Sequence, residues 1–209
     1  VDKAESEPAL AAAINTRAIA VFGEEAVKLG AWVIHYSTDY VFDGTKQGHY
    51  TEQDATNPQS VYGRTKRDGE LALQQSGAKH LILRTSWVVG AHGANFAKTM
   101  LRLAAERDSL NVVADQFGAP TSAALLADIT AHLVRQCQRE GKQTFPFGTY
   151  HLVAGGETNW CDYARFVVGE ASKAGKTLKA SPETIHPITT ADYPLPAPRP
   201  ANSRLDTSH

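Results

Sequence analysis

Apolar positions recur at helical spacing over residues 8–29, "PALAAAINTRAIAVFGEEAVKL", and the run stops at Gly30, a suitable residue just past a helix end. The period then changes. "WVIHYS" (32–37) is β-rich and largely apolar, as in a strand covered on both faces. A turn-rich stretch over 43–58, with Gly44, Gly48 and Pro58, leads to a predicted helix over 59–75 that ends near Gly77. "HLILRTSWVV" (80–89) predicts a second buried strand, 95–107 a helix, "LNVVAD" (110–115) a short strand and 122–139 another helix. "TYHLVA" (149–154) predicts a strand, and 159–175 a helix capped by Asn159 or Thr158. The tail from 182 to 200 carries six prolines, which predicts extended, irregular chain.

Strands alternating with helices imply an α/β fold with a mainly parallel sheet. Ligands of such sheets sit beyond the carboxyl ends of the strands. Two polar clusters occupy such ends: "STDY" (37–40) after the first strand and "TSWV" (85–88) after the second. Ser37, Thr38, Asp39 and Tyr40 either stop the strand or face a ligand, and their position favours a ligand.

Composition narrows the function classes. The chain has 209 residues, enough for one large domain or two small ones. A formal charge of -1 gives no electrostatic footprint for nucleic acid or anionic membrane. No apolar run approaches the length of a membrane span and no signal peptide is visible, so a cytoplasmic protein is expected. Cys137 and Cys161 are too few for a disulfide framework and are read as reduced and structural. No His/Asp/Glu set has metal-ligand spacing; His92 and His151 are scattered, and His35, inside a strand, reads as a core or interface histidine. No Gly-x-Ser-x-Gly or Cys–His arrangement suggests a covalent hydrolase.

The sharpest chemical signal is "YGRTK", with Tyr62 and Lys66 four apart on one face of a predicted helix. A free Tyr, with a pKa near ~10, is a poor acid–base group at neutral pH. A neighbouring ammonium lowers that pKa and makes proton transfer usable. Gly69, on the same face, would let the helix approach the sheet. Tyr-x-x-x-Lys alone is a weak pattern. It gains weight because the strand ending in Ser37-Thr38 precedes it by about two dozen residues. A hydroxyl, a Tyr and a Lys so placed resemble the catalytic set of short-chain dehydrogenases/reductases.

Seven segments in order, "HYSTDYVFDG", "NPQSVYGRTKRDGE", "ILRTSWV", "NFAKTM", "DQFGAPT", "YHLVAGG" and "RPANSRLD", narrow the resemblance. Together they resemble the dTDP-4-dehydrorhamnose reductases, a family of the extended type, over essentially the whole chain. The resemblance implies a Rossmann-like doubly wound parallel sheet with a smaller C-terminal substrate-binding region. Residues 1–92 would complete the dinucleotide-binding domain and carry the catalytic residues. Residues 93–209 would mainly bind substrate, with 122–154 returning a helix and strand to the main sheet.

It further implies NADPH or NADH as cofactor and a dTDP-sugar as substrate, with homodimer formation left open. Tyr62 would donate the proton, Lys66 would bind the nicotinamide ribose and lower the Tyr62 pKa, and Thr38 would hydrogen-bond the sugar carbonyl. Asp39 and Tyr40 would line the sugar pocket. Trp87 would pack on the sugar or nucleotide, or else serve as a core aromatic. Asn95 and Phe96 would open a helix near the pocket. Residues 115–121 would form a substrate-side loop whose turn Gly118 and Pro120 fix. Arg199 would reach the diphosphate, or else lie as a surface Arg in the tail. Some members of the family use Mg²⁺ at a subunit contact, and no residue of this sequence is assigned to it.

The Gly-x-x-Gly-x-x-Gly turn that cradles a dinucleotide pyrophosphate is not found; "GAHG" (90–93) and "AGG" (154–156) lack its strand–turn–helix setting. A chain opening at "VDKAESEP" is therefore expected to be a fragment, with the catalytic face but without useful NADPH binding. The rival readings are a non-catalytic regulatory relative of the methionine adenosyltransferase beta-subunit type, and a reductase or epimerase for another nucleotide sugar. Thr38, Tyr62 and Lys66 together argue against the scaffold.

Overall fold

The computed structural model describes residues 1–209. The first helical run is three pieces, α1 (Asp2–Ser6), α2 (Pro8–Ala12) and α3 (Ala18–Leu29), with a wide π turn at Ala13–Arg17 joining the last two. Gly30 closes α3 in the left-handed conformation (φ 61°), where a residue without a Cβ carries no steric penalty. Strand β1 (Trp32–Thr38) follows, then helix α4 (Val61–Gln75) and strand β2 (Lys79–Thr85).

The predicted strand over 80–89 is two strands in the structure, β2 and β3 (Val88–Val89), because Trp87 turns the chain with φ 48°. That conformation is rare for a bulky residue and marks a position held by its surroundings. Helix α5 (Phe96–Glu106), strand β4 (Leu110–Val113), the short strands β5 (Phe117–Gly118) and β6 (Thr121–Ser122), and helix α6 (Ala123–Glu140) come next. Strands β7 (Gly148–His151) and β8 (Thr158–Asn159) lead to helix α7 (Trp160–Lys173), whose cap is Asn159, its side chain accepting from the Asp162 N–H. The tail contains one more strand, β9 (Ile185–Ile188), where only irregular chain is predicted. It pairs in parallel with β4, and Pro187 lies within it. A proline lacks one ladder donor and is tolerated in such a two-stranded, edge setting.

Two cores result. The main sheet runs β1-β2-β7, all parallel. Ala26, Leu73, Ala78 and Ile82 fill its α3–α4 side, and Leu81, Leu83, Cys137 and Phe145 its α6 side. The second core is wholly apolar: Met100, Ala104, Leu110, Val112, Cys161, Ala164, Val168, Ala180 and Ile185, drawn from α5, β4, α7 and the β9 region. Cys137 and Cys161 are buried and free.

Gly69 allows a close approach, but to a different partner from the sheet: a Cβ there would stand 2.1 Å from the Asn15 carbonyl oxygen in the π turn. Helix α4 is thus clamped against the first helical run. Its N-terminus is held by the Glu5 carboxylate, which accepts from the Val61 N–H at 2.7 Å, and by the Ser60 hydroxyl, which accepts from Gly63. A carboxylate at a helix start also complements the helix dipole. These contacts set where the second residue of the helix, Tyr62, can sit.

Candidate active site

Strand β1 delivers Thr38 at its carboxyl end, and the chain turns at once into a single 3₁₀ turn, Asp39–Val41. The Thr38 hydroxyl accepts from the Tyr40 N–H at 3.2 Å and donates to Asp39 Oδ1 at 3.0 Å. On the other side of the carboxylate, the Ser203 hydroxyl donates to Asp39 Oδ2 at 2.5 Å. Helix α4 comes very close here, since a Cβ on Gly63 would stand 2.2 Å from the Tyr40 carbonyl oxygen. The rings of Tyr40 and Tyr62 consequently meet edge-on, 5.5 Å between centroids at 78°. Thr38 and Asp39 are the side chains that act on the Tyr62 phenol.

Burial raises the Tyr62 pKa above its ordinary value, the Asp39 charge adds to that, and the Thr38 hydroxyl opposes it. The Lys66 ammonium goes to the β1 backbone, donating to the Tyr36 carbonyl at 2.6 Å, with His35 Nε2 at 3.3 Å. Burial brings Lys66 down to about 8, against the attraction of Glu70. His35 falls to about 4, through burial and then the Lys66 charge, so its ring is neutral at pH 7 and offers Nε2 as an acceptor.

The other expected residues lie around one large cleft of about 850 Å³. Tyr40, Trp87, Arg199 and Ser203 line it, as do Phe96 and Arg107. Trp87 lies face to face with Trp160, 3.5 Å between centroids at 13°. The Trp160 N–H donates to Gln116 Oε1 at 3.0 Å. Gly118 is there for the indole and not for its turn: a Cβ would stand 2.7 Å from the Trp87 ring. The Arg199 guanidinium lies in the cleft wall, donating to Asp2 Oδ2 at 2.6 Å and to the Ala197 carbonyl.

Two expected residues sit elsewhere. Asp39 is 3% exposed and lies behind the wall, bonded to Ser203, which does line the cleft. Asn95 is used up by structure: Oδ1 caps α5 at the Lys98 N–H and Nδ2 donates to the Gly90 carbonyl. Sequence reasoning missed Ser203, Asp2, Trp160 and Gln116. Asp2 and Ser203 lie within quoted segments, yet nothing in local spacing connects residue 203 to residue 39.

The residues present fit a nicotinamide cofactor. Two acceptors on the Lys66 ammonium leave one of its three donors for a ribose hydroxyl. The Thr85 and Ser86 hydroxyls, at the carboxyl end of β2, are buried without a partner, as is Ser37 on β1. Buried polar groups are normally satisfied, so orphans at strand ends suit a polar ligand group. No three His, Cys, Asp or Glu side chains come together as a metal site.

The profile of the RmlD substrate binding domain matches residues 1–209. The chain belongs to that family. This RmlD-family chain is 55% identical over 207 residues to the dTDP-4-dehydrorhamnose reductase of Salmonella typhimurium, covering 99% of the chain and 68% of that protein. Among solved structures, it superposes on a dTDP-4-dehydrorhamnose reductase of Clostridium acetobutylicum with TM-score 0.87 at 36% identity, covering 99% of the chain and 68% of that structure. The Bacillus anthracis enzyme of the same name, in complex with NADP, gives TM-score 0.87 at 34% identity, covering 100% of the chain and 68% of that structure. The RmlD-family chain thus spans about two thirds of the length of these relatives, and its α/β fold is the Rossmann-like parallel-sheet fold of extended short-chain reductases.

Proposed function

We propose that the protein reduces the 4-keto group of dTDP-4-dehydrorhamnose, giving dTDP-L-rhamnose, with NADPH, and that it works in the cytoplasm. What supports this reading is Thr38 at the end of β1 acting on the Tyr62 phenol, with Lys66 anchored on the same strand, next to Tyr40, which lines a cleft large enough for a nucleotide sugar. NADPH supplies the hydride that reaches the sugar carbon.

The chain's own residues meet the other half of the reaction. Tyr62 is held neutral by burial and carries the proton for the oxygen that becomes the alcohol. Thr38 stands beside it as a second hydroxyl for that oxygen. A donor already in place, as the Tyr62 phenol is, is worth most where negative charge develops, because no reorganisation is needed. Lys66, anchored by Tyr36 and His35, presents a fixed cation to the ribose. Trp87, backed by Trp160, offers a flat apolar wall to sugar or base. Arg199 and Arg107 supply positive charge in the cleft for a diphosphate.

Arg199 gives up part of its fork to Asp2, and Asn95 is withdrawn from the substrate set. The non-catalytic reading lacks support, since a scaffold gains nothing from a buried, anchored lysine next to an acid–base tyrosine. Supplying the full-length protein with NADPH and dTDP-4-dehydrorhamnose should cause loss of nicotinamide absorbance. Tyr62→Phe should lower kcat by about 10²–10⁴-fold, the usual worth of a positioned acid. An unchanged kcat in that variant removes Tyr62 as the proton donor.

A further inference from the structure

A threonine hydroxyl has one proton, and around Thr38 there are two claimants for it. The oxygen already accepts from the Tyr40 N–H, and the proton points at Asp39 Oδ1. As drawn, Thr38 can only accept from a third group, which is the wrong sense for stabilising a carbonyl oxygen that is gaining charge. The carboxyl that takes the proton is itself enclosed. It is 3% exposed, and its second oxygen takes the Ser203 proton across 164 residues of sequence. Ser203 in turn lines the cleft.

We propose that Asp39 is a positioning residue that sets the direction of the Thr38 hydroxyl. When ionised it draws the Thr38 proton to itself, and when protonated it releases that proton toward the sugar carbonyl. The proposal rests on the reductase reading above and deepens it.

Three neighbours on different elements surround the switch. Tyr62 faces it from α4, Tyr40 lies alongside it, and Ser203 reaches it from the tail. The other full charges that act on the adjoining Tyr40 are those of Arg199 and Asp2. Burial, opposed by the Ser203 and Thr38 hydrogen bonds, brings the Asp39 pKa up to about 6. Both forms are therefore accessible near neutrality, which an ordinary aspartate would not allow.

The test has two arms. In protein labelled with ¹³C at aspartate, without cofactor or substrate, the Asp39 carboxyl is followed through pH 4–8 by NMR. Thr38→Val should move its titration to higher pH, because the carboxylate loses a donor. An unmoved titration overturns the proposal. In the enzyme with NADPH and dTDP-4-dehydrorhamnose, kcat/KM of the wild type should carry the same ionisation, falling up to about tenfold per pH unit above it. Asp39→Asn, neutral at every pH, should lose that limb, so its rate relative to wild type climbs with pH. Ser203→Ala should carry the limb to higher pH. Parallel wild-type and Asp39→Asn profiles overturn the proposal, since a merely structural carboxyl would lower the rate equally throughout. If the first arm succeeds but the wild type consumes no NADPH with this sugar, the reductase reading fails, and with it the carbonyl as the target of the released proton.

Discussion

The two halves of the molecule are held together by different physics. The apolar cluster of the second half, from Met100 to Ile185, is the larger of the molecule's cores, and few buried polar residues, Gln116, Thr121 and His151, fall in that stretch of chain. Beside the main sheet, by contrast, His35, Ser37, Thr38, Asp39, Lys66, Glu70, Arg84, Thr85 and Ser86 are all buried. Hydrophobic packing is non-directional and tolerates exchange among shapes of similar volume. Buried polar groups are directional, and each needs its partner. The half that must place a proton therefore uses the fragile kind of interior, and the half that shapes a cleft uses the forgiving kind.

The pair Glu70–Arg84 gives the largest test of that contrast. It ties α4 to β2 with both side chains at 6% exposure or less and contacts of 2.6–3.3 Å. Glu70→Ala leaves the Arg84 charge buried alone and should cost about 3–5 kcal/mol. Exchanging both residues for apolar ones should recover most of it. Chemical denaturation measures this, and a loss under about 1 kcal/mol for Glu70→Ala would show that the pair is already wet.

In the other half, Ile185→Val trims a fully buried side chain and should cost about 0.5–1.5 kcal/mol, with kcat unchanged. A cost as large as that of Glu70→Ala would erase the distinction. The last test concerns His35, whose pKa falls to about 4 on folding. Between pH 6.5 and 4 the unfolded chain binds more protons at this site, so its contribution to stability is lost as pH falls through that window. His151, also depressed, acts in the same direction, and Asp39, raised to about 6, acts in the opposite one. His35→Gln should accordingly show a shallower loss of stability than the wild type from pH 6.5 to 4. An identical slope in the two proteins would mean that the histidine is not desolvated.

What could be read ahead of the structure follows the same division. Periodicity exposed β1, α4, α5, α6 and α7 because each hides a continuous apolar face or stripe. It ran β2 and β3 together because no pattern of apolar residues signals a tryptophan at positive φ. It passed over β9 because Pro187 argues against a strand, and only pairing with β4 overrides that. Tyr62, Lys66 and Thr38 drew attention through short spacing and the order of motifs. Ser203 and Asp2 were not, since their partners are 164 and 197 residues away. The acceptors of the Lys66 ammonium, the Tyr36 carbonyl and His35, lie 30 and 31 residues away and were equally out of reach of local spacing.

The stretch Ala201–Asp206 crosses from one half to the other. On one side Phe117 donates to the Ala201 carbonyl and Ser203 to that of Phe117. On the other, Asn202 donates to Gly44, and Tyr50 exchanges bonds with Arg204 and Asp206. Five main-chain bonds thus sew the halves together along six residues. Any separation of the two halves along this stretch would break those five bonds together, so the tail acts as a shared edge strand for both.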